Sequence, residues 1–231
     1  MIFLSDIHSH WPRALADIRG HVIIGGDSLD DGAGFELDMA ARALEPLAGR
    51  ITLAVGNHDQ GLRGLFYNPH SARRFDDLSA RLQGHRWMDK QPMVQQVREG
   101  GVDVSIITLN SCAQTVKWND YARGEIGREQ LAELDRILSV TRGLKVVVLH
   151  HHPFMKSATM NLIDAGYLMM FLRNRADALL FGHRHEAGRY DGAQGIPLVI
   201  AAGAGWLSPQ VDEIYVENGR LAARKVTLGG I

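Results

Sequence analysis

Five short polar clusters hold the side chains best suited to chemistry: Asp6-Ile7-His8, Gly26-Asp27 followed by Asp30, Gly56-Asn57-His58-Asp59, His150-His151-His152-Pro153, and Gly182-His183-Arg184-His185. Of eleven histidines, those at His8, His10, His58, His150, His151, His152, His183 and His185 all fall in or beside these clusters. Imidazoles gathered this way would repel one another if protonated. A metal resolves the conflict, because neutral imidazole and ionised carboxylate are its natural ligands. A carboxylate has two oxygens and can bridge two cations, and a pair about 3.5–4 Å apart can clamp a phosphoryl group. Each cluster alone arises often by chance; their conjunction carries the signal. Cys112 is the single cysteine, which leaves no internal disulfide and no thiolate-built zinc site. The expected metals are therefore Mn, Fe, Zn, Co or Ni in mixed nitrogen and oxygen ligation.

The elements that must carry these clusters are readable from apolar runs. Ile2–Leu4, Val22–Ile24, Ile51–Val55, Val104–Leu109, Val146–Leu149, Ala178–Phe181 and Leu198–Ala201 read as strands buried on both faces. Between them, residues 35–47 place Leu37, Ala40, Ala41, Leu44 and Leu47 at helical spacing, with Gly49 as a stop, and residues 128–138 do the same with Leu131, Leu134, Ile137 and Leu138. A short helix is expected near Pro12. Alternating strands and helices predict a layered α/β architecture in which functional loops leave the carboxyl ends of strands, and the polar clusters follow the strand candidates in that way. Gly25, Gly26, Gly56 and Gly182 let the chain turn sharply under a ligand. Near the end, residues 211–216 and 220–226 flank Asn218-Gly219, a hairpin signal. The stretch 60–93 is rich in basic residues, Arg63, His70, Arg73, Arg74, Arg81, His85, Arg86 and Lys90, and reads as a helical cap or flap.

With 231 residues, 45% of them apolar, the chain suits one domain over 1–231. A net charge of -1 gives no general pull toward nucleic acid or membrane. No apolar run reaches spanning length and no leader is evident, which predicts a cytoplasmic protein.

The order Asp6-x-His8, Gly26-Asp27-x-x-Asp30, Gly56-Asn57-His58-Asp59, His151-x-Pro153 and Gly182-His183-x-His185 resembles the signature of the calcineurin-like metallophosphoesterases, and spans most of the chain. GNHD and LHHHP resemble the cyclic-nucleotide phosphodiesterase branch more than the protein Ser/Thr phosphatases. Asp31 stands where those phosphatases carry arginine, and Asn110-Ser111 stands where that branch often has Asp-Ser. The resemblance implies a sandwich of two mixed β-sheets flanked by helices. It also implies that Asp6, His8, Asp27 and His185 hold one metal, that Asp27, Asn57, His151 and His183 hold the other, and that Asp27 bridges them. His150 is then a packing residue or a support behind the ligands, and Asp30 a hydrogen-bond partner of a ligand histidine.

The implied reaction is in-line attack on phosphorus by a hydroxide bridging the metals, with no covalent protein nucleophile. His58 is the candidate acid for the leaving oxygen, with Asp59 orienting its ring. His10, His152 and Arg63 are candidate substrate contacts. The expected substrate is a small phosphodiester, a cyclic nucleotide or a relative. Phosphomonoester or nucleotide pyrophosphate hydrolysis is the alternative, and a non-catalytic scaffold of the same fold, which predicts eroded ligands, is the third reading.

Overall fold

A computed structural model describes residues 1–89, 91–112, 122–205, 207 and 209–228. In chain order the first strands are β1 (Ile2–Leu4), β2 (Val22–Ile24), β3 (Ile51–Leu53), β4 (Gly61–Leu62), β5 (Phe66–Tyr67), β6 (Met93–Glu99) and β7 (Val102–Thr108). They are followed by β8 (Leu144–Val148), β9 (Ala178–Phe181), β10 (Gly188–Arg189), β11 (Leu198–Ala201), β12 (Gln210–Glu217) and β13 (Arg220–Thr227). The helices are α1 (Gly34–Leu44), α2 (Pro69–Gln83), α3 (Arg128–Val140) and α4 (Ala165–Leu172). One sheet has the order β13-β12-β1-β2-β3, the other β10-β11-β9-β8-β7-β6, and β4 and β5 form a separate hairpin. The first sheet pairs β1, β2 and β3 in parallel and adds β12 and β13 antiparallel, and the second pairs β7, β8, β9 and β11 in parallel between antiparallel β6 and β10, so both sheets are mixed.

Period-two alternation explains the layering. Leu4, Val22, Ile24, Ile51 and Leu53 pack with Leu37 and Leu44 of α1 and Phe75, Leu78 and Leu82 of α2. Their neighbours Phe3 and Ile23 turn the other way and meet Ile106, Val146, Val148, Leu180 and Ile200 of the second sheet. On that sheet's far side, Ile107, Val147, Leu179, Phe181 and Val199 pack with Leu131 and Leu134 of α3 and Leu168 and Leu172 of α4. The result is helix, sheet, sheet, helix, which is why the strands read as unbroken apolar runs.

Where the structure differs from the sequence reading, the cause is local. The helix expected to reach Leu47 ends at Leu44 and tightens into a 3-10 turn over Glu45–Leu47, where Pro46 cannot donate to an α-helical bond. The stretch 60–93 does not form one cap. Its long helix α2 begins with Asn68 Oδ1 accepting from the His70 and Ser71 amides and ends at Gly84 with φ 76°, and it buries Ala72, Phe75, Leu78 and Leu82 against the first sheet. The β4–β5 hairpin stands beside the polar loops, where the Gly64 carbonyl accepts from Asn57 Nδ2 at 3.4 Å, and α2 packs against the turn His58–Gln60. Met93–Glu99 is an edge strand, and Lys90 lies outside the described residues. Asn218 and Gly219 both have positive φ, 51° and 75°, as a two-residue hairpin turn between β12 and β13 demands. Among the described residues, no helix is long and apolar enough to cross a membrane.

Candidate metal centre

The polar clusters leave the carboxyl ends of β1, β2, β3, β8 and β9 and interlock through the backbone. The Asp6 amide donates to Gly26 O, and the Ile7 and His8 amides both donate to Asp27 O. The His183 amide donates to the Asp6 carboxylate, tying the second sheet's loops to the first's, and the Gly182 amide donates to His150 O within the second. Asp6, His8, Asp27, His183 and His185 have φ of 54°, 47°, 50°, 77° and 61°. Left-handed backbone is uncommon outside glycine and costs energy, and its concentration here marks loops held in place by their surroundings. Two glycines make room: a Cβ on Gly56 would lie 2.1 Å from Asp27 Oδ1, and one on Gly26 would lie 2.6 Å from His150 Nδ1.

Among the described residues three groups of donor atoms result, two of which share Asp27. Asp6, His8, Asp27 and His185 each offer an atom within 4.8 Å of the others. His8 Nε2 faces His185 Nε2 at 3.0 Å, and His185 Nε2 lies 3.5 Å from Asp6 Oδ1. Asp27, His150 and His183 form the second group, again within 4.8 Å. Here His150 Nε2 lies 3.2 Å from Asp27 Oδ2, 3.2 Å from His183 Nδ1 and 3.0 Å from Asn57 Oδ1.

The second group differs from the sequence reading at one position. His150, expected to pack behind the site, points its Nε2 at the three other ligand atoms. His151, expected to be the ligand, has its Nδ1 on Ser111 Oγ at 2.9 Å, and its buried Nε2 has no hydrogen-bond partner. The rings of His150 and His151 both stand against His183, with centroids 5.0 and 4.4 Å away, but it is His150 that brings a nitrogen within 4.8 Å of the Asp27 and His183 ligand atoms.

The electrostatics of these atoms fit a cation. Burial, reinforced by neighbouring histidines, holds His8 down to about 4 and His183 down to about 3, and it pushes His151 well below and His185 below the ordinary histidine value. Their lone pairs are therefore available at neutral pH. Burial alone would raise Asp27, but His150, His58 and His8 outweigh it and hold the carboxyl well below the usual range. Burial likewise opposes charge on His150, yet Asp27 and Asp6 bring it up to about 9. A proton on His150 thus sits where a metal ion would satisfy Asp27, Asn57 and His183 at once. Two opposed imidazole nitrogens at 3.0 Å in the first group make the same demand. The donor set, neutral nitrogens with carboxylate and amide oxygens, fits two divalent ions.

The remaining candidates fall into place individually. Asp30 Oδ1 lies 3.2 Å from His8 Nδ1, so it fixes the ring whose Nε2 faces the first group. His58 stands outside the two groups that share Asp27 and forms the third with His8 and Asp30, their ligand atoms again within 4.8 Å of one another. Its amide donates to Asp27 Oδ1 at 3.0 Å, its Nδ1 lies 2.6 Å from Asp30 O, and its ring meets His8 edge-on at 4.5 Å. Asp59 does not orient His58: its carboxylate oxygens accept from the Leu29 and Gly56 amides, and burial pushes its pKa up to about 8. It staples the loops after β2 and β3 together. His152 does not face a substrate rim either, being buried among Phe154, Phe181 and Tyr190 with Nε2 3.3 Å from the Tyr190 hydroxyl. His10 is exposed and bonds its own turn through His8 O, and Arg63 is exposed, 3.8 Å from Asp31. Ser111 figures in the sequence reading only as half of the Asn110-Ser111 pair, with no role; its contact with His151 is set by the fold.

The model of the calcineurin-like phosphoesterase family matches residues 1–187. Among solved structures, a protein described as a 5′-nucleotidase from Staphylococcus aureus superposes with TM-score 0.63 at 15% identity, covering 98% of this chain and 53% of that one. This chain therefore spans about half that relative's length. A dimetal phosphatase from Danio rerio gives TM-score 0.61 at 14% identity over 98% of this chain and 95% of that one. A purple acid phosphatase from yellow lupin gives 0.66 at 12% identity over 98% and 51%. At such identities the likeness is one of fold. No curated protein matches.

Proposed function

The chain belongs to the calcineurin-like phosphoesterase family of metal-dependent hydrolases, and from that premise we propose that it hydrolyses small phosphodiesters, cyclic nucleotides or related esters, at a two-metal site. The observation that carries this is the pair of donor groups sharing Asp27. We assign Asp6, His8, Asp27 and His185 to one metal and Asp27, Asn57, His150 and His183 to the other, with His151 behind them on Ser111. Two cations held there would supply Lewis acidity to the phosphoryl oxygens and to an attacking water. The protein's own groups do the rest. Asp30 and Ser111 set ring orientations, and the Asp30 carbonyl takes the Nδ1–H of His58, leaving Nε2 to carry a proton to the departing oxygen. A scaffold would have no use for so complete a set.

The diester preference is supported by charge as well as by motif wording. The Asp30 carboxylate stands 3.7 Å from His58 Nδ1, and the exposed Arg63 pairs with Asp31. That surrounding suits a singly charged diester better than a doubly charged monoester. After reconstitution with Mn, Fe or Zn, bis(p-nitrophenyl) phosphate should be turned over with a kcat/KM at least about tenfold above that for p-nitrophenyl phosphate, a difference of about 1.4 kcal/mol in barrier. A preference for the monoester would establish the alternative reading, and inactivity on both would remove the enzyme reading. A cytoplasmic location belongs to the same proposal, supported by a buried thiol at Cys112 that needs no oxidising compartment.

A further inference from the structure

The hairpin of β4 and β5 brings its tip onto the metal loops. Gly64 is buried there with φ 62°, next to Arg63 at φ 51°, and its amide donates to Gly61 O at 3.3 Å. Arg63 Nε lies 3.8 Å from Asp31 Oδ1, in the loop whose Asp30 carbonyl holds His58 Nδ1 at 2.6 Å. One loop after β2 therefore fixes both the tip and the His58 ring beside it. With Nδ1 turned to Asp30, the other edge of that ring faces Gly64. A Cβ built on Gly64 would lie 2.6 Å from His58 Cδ2 and 2.9 Å from Nε2, and it would collide outright with Asn57 Nδ2. The left-handed backbone itself also disfavours a side chain. Any residue but glycine must push aside the hairpin, the Asn57 amide or the His58 ring.

The Asn57 amide depends on the hairpin for a second reason. Its two ends are alike in shape and opposite in polarity, and only Oδ1 can ligate a cation. Oδ1 lies 3.0 Å from His150 Nε2, beside the second donor group, while Nδ2 donates to Gly64 O at 3.4 Å. A flipped amide would set Oδ1 against the Gly64 carbonyl, acceptor against acceptor, and present N–H to the metal position. The Gly64 carbonyl thus selects the orientation that ligates, as partners behind a metal ligand do.

We propose that Gly64 is a positioning residue of the site: its carbonyl points Asn57 Oδ1 at the second metal position, and its lack of a Cβ keeps the space before His58 Nε2 open to the leaving group. The assignment rests on the two-metal reading above for what Asn57 and His58 do, and its test separates the two. Gly64→Ala is compared with Gly84→Ala, which meets left-handed backbone at φ 76° but has open space around its Cβ. In the metal-free protein, only Gly64→Ala should move the side-chain NMR signals of Asn57 and His58. Titrated calorimetrically with manganese, it should bind the second ion about 10–100-fold more weakly than wild type while holding the first as before. At saturating manganese it should lose kcat on 2′,3′-cyclic nucleotides at least about tenfold more than on bis(p-nitrophenyl) phosphate, because alkoxide departure depends on the His58 proton. Signals and affinities matching those of Gly84→Ala, or equal losses on both esters, overturn the assignment even if the diester is hydrolysed. Moved signals in a protein whose wild type binds one ion or none keep Gly64 as the residue that orients Asn57 and His58, and sink the two-metal reading instead. Should Gly64→Ala fail to fold, a wild-type crystal decides: Asn57 Nδ2 on Gly64 O retains the assignment, and Nδ2 on another acceptor overturns it.

Discussion

Replacing Asp27 with alanine will empty both metal positions and lower kcat/KM by more than about 10⁴-fold, the scale on which groups acting as one catalytic unit fail together. Asp27 is 1% exposed, and both its oxygens are engaged: Oδ2 lies 3.2 Å from His150 Nε2 and 3.9 Å from His8 Nε2, while Oδ1 accepts the His58 amide. No other side chain belongs to both four-residue ligand sets. His150→Ala should empty one position only, the one shared with Asn57 and His183, and His151→Ala should spare both. Metal analysis of the purified variants decides between these patterns. If His151→Ala loses metal as readily as His150→Ala, His151 returns to the ligand shell and the inward turn of His150 is not its role.

His58→Ala should retain both metals and lose about 10²–10⁴-fold in rate on esters with poor leaving groups, the range typical of general acid catalysis. An alkoxide departing from a cyclic nucleotide needs a proton as the bond to phosphorus breaks; nitrophenolate needs it far less. The loss on bis(p-nitrophenyl) phosphate should therefore be much smaller. The ring's position outside the two donor groups that share Asp27, with Nδ1 committed to Asp30 O, underlies the expectation. Equal losses on both substrate types would reassign His58 to binding the phosphate, and loss of metal would place it among the ligands.

Much of this arrangement is legible in the sequence because strand ends and polar clusters coincide. The β1, β2 and β9 runs were read to the residue, and the group around Asp6, His8, Asp27 and His185 came with them. What was not legible depends on which way a loop turns. The choice between His150 and His151 is set by how the chain leaves β8 after Val148, and three consecutive histidines give no sign of it. Asp59 adjoins His58 in sequence, yet the backbone amides of Leu29 and Gly56 claim its oxygens, a long-range demand that adjacency conceals. The α2 segment looked like a cap because its charged residues outnumber the Phe75, Leu78 and Leu82 face that fastens it to the sheet. The edge strand β6 was missed because its glutamines break the apolar pattern; Gln95 is spent on bonds to Thr52 and the Ile51 carbonyl instead.

Anomalous diffraction from crystals grown with manganese tests the central claim most directly. Two peaks should appear within about 4 Å of each other with the Asp27 carboxylate between them. Asp6, His8 and His185 should complete the shell of one, and Asn57, His150 and His183 that of the other. A single peak at full occupancy, or an Asp27 side chain turned away from both peaks, would contradict the two-metal account.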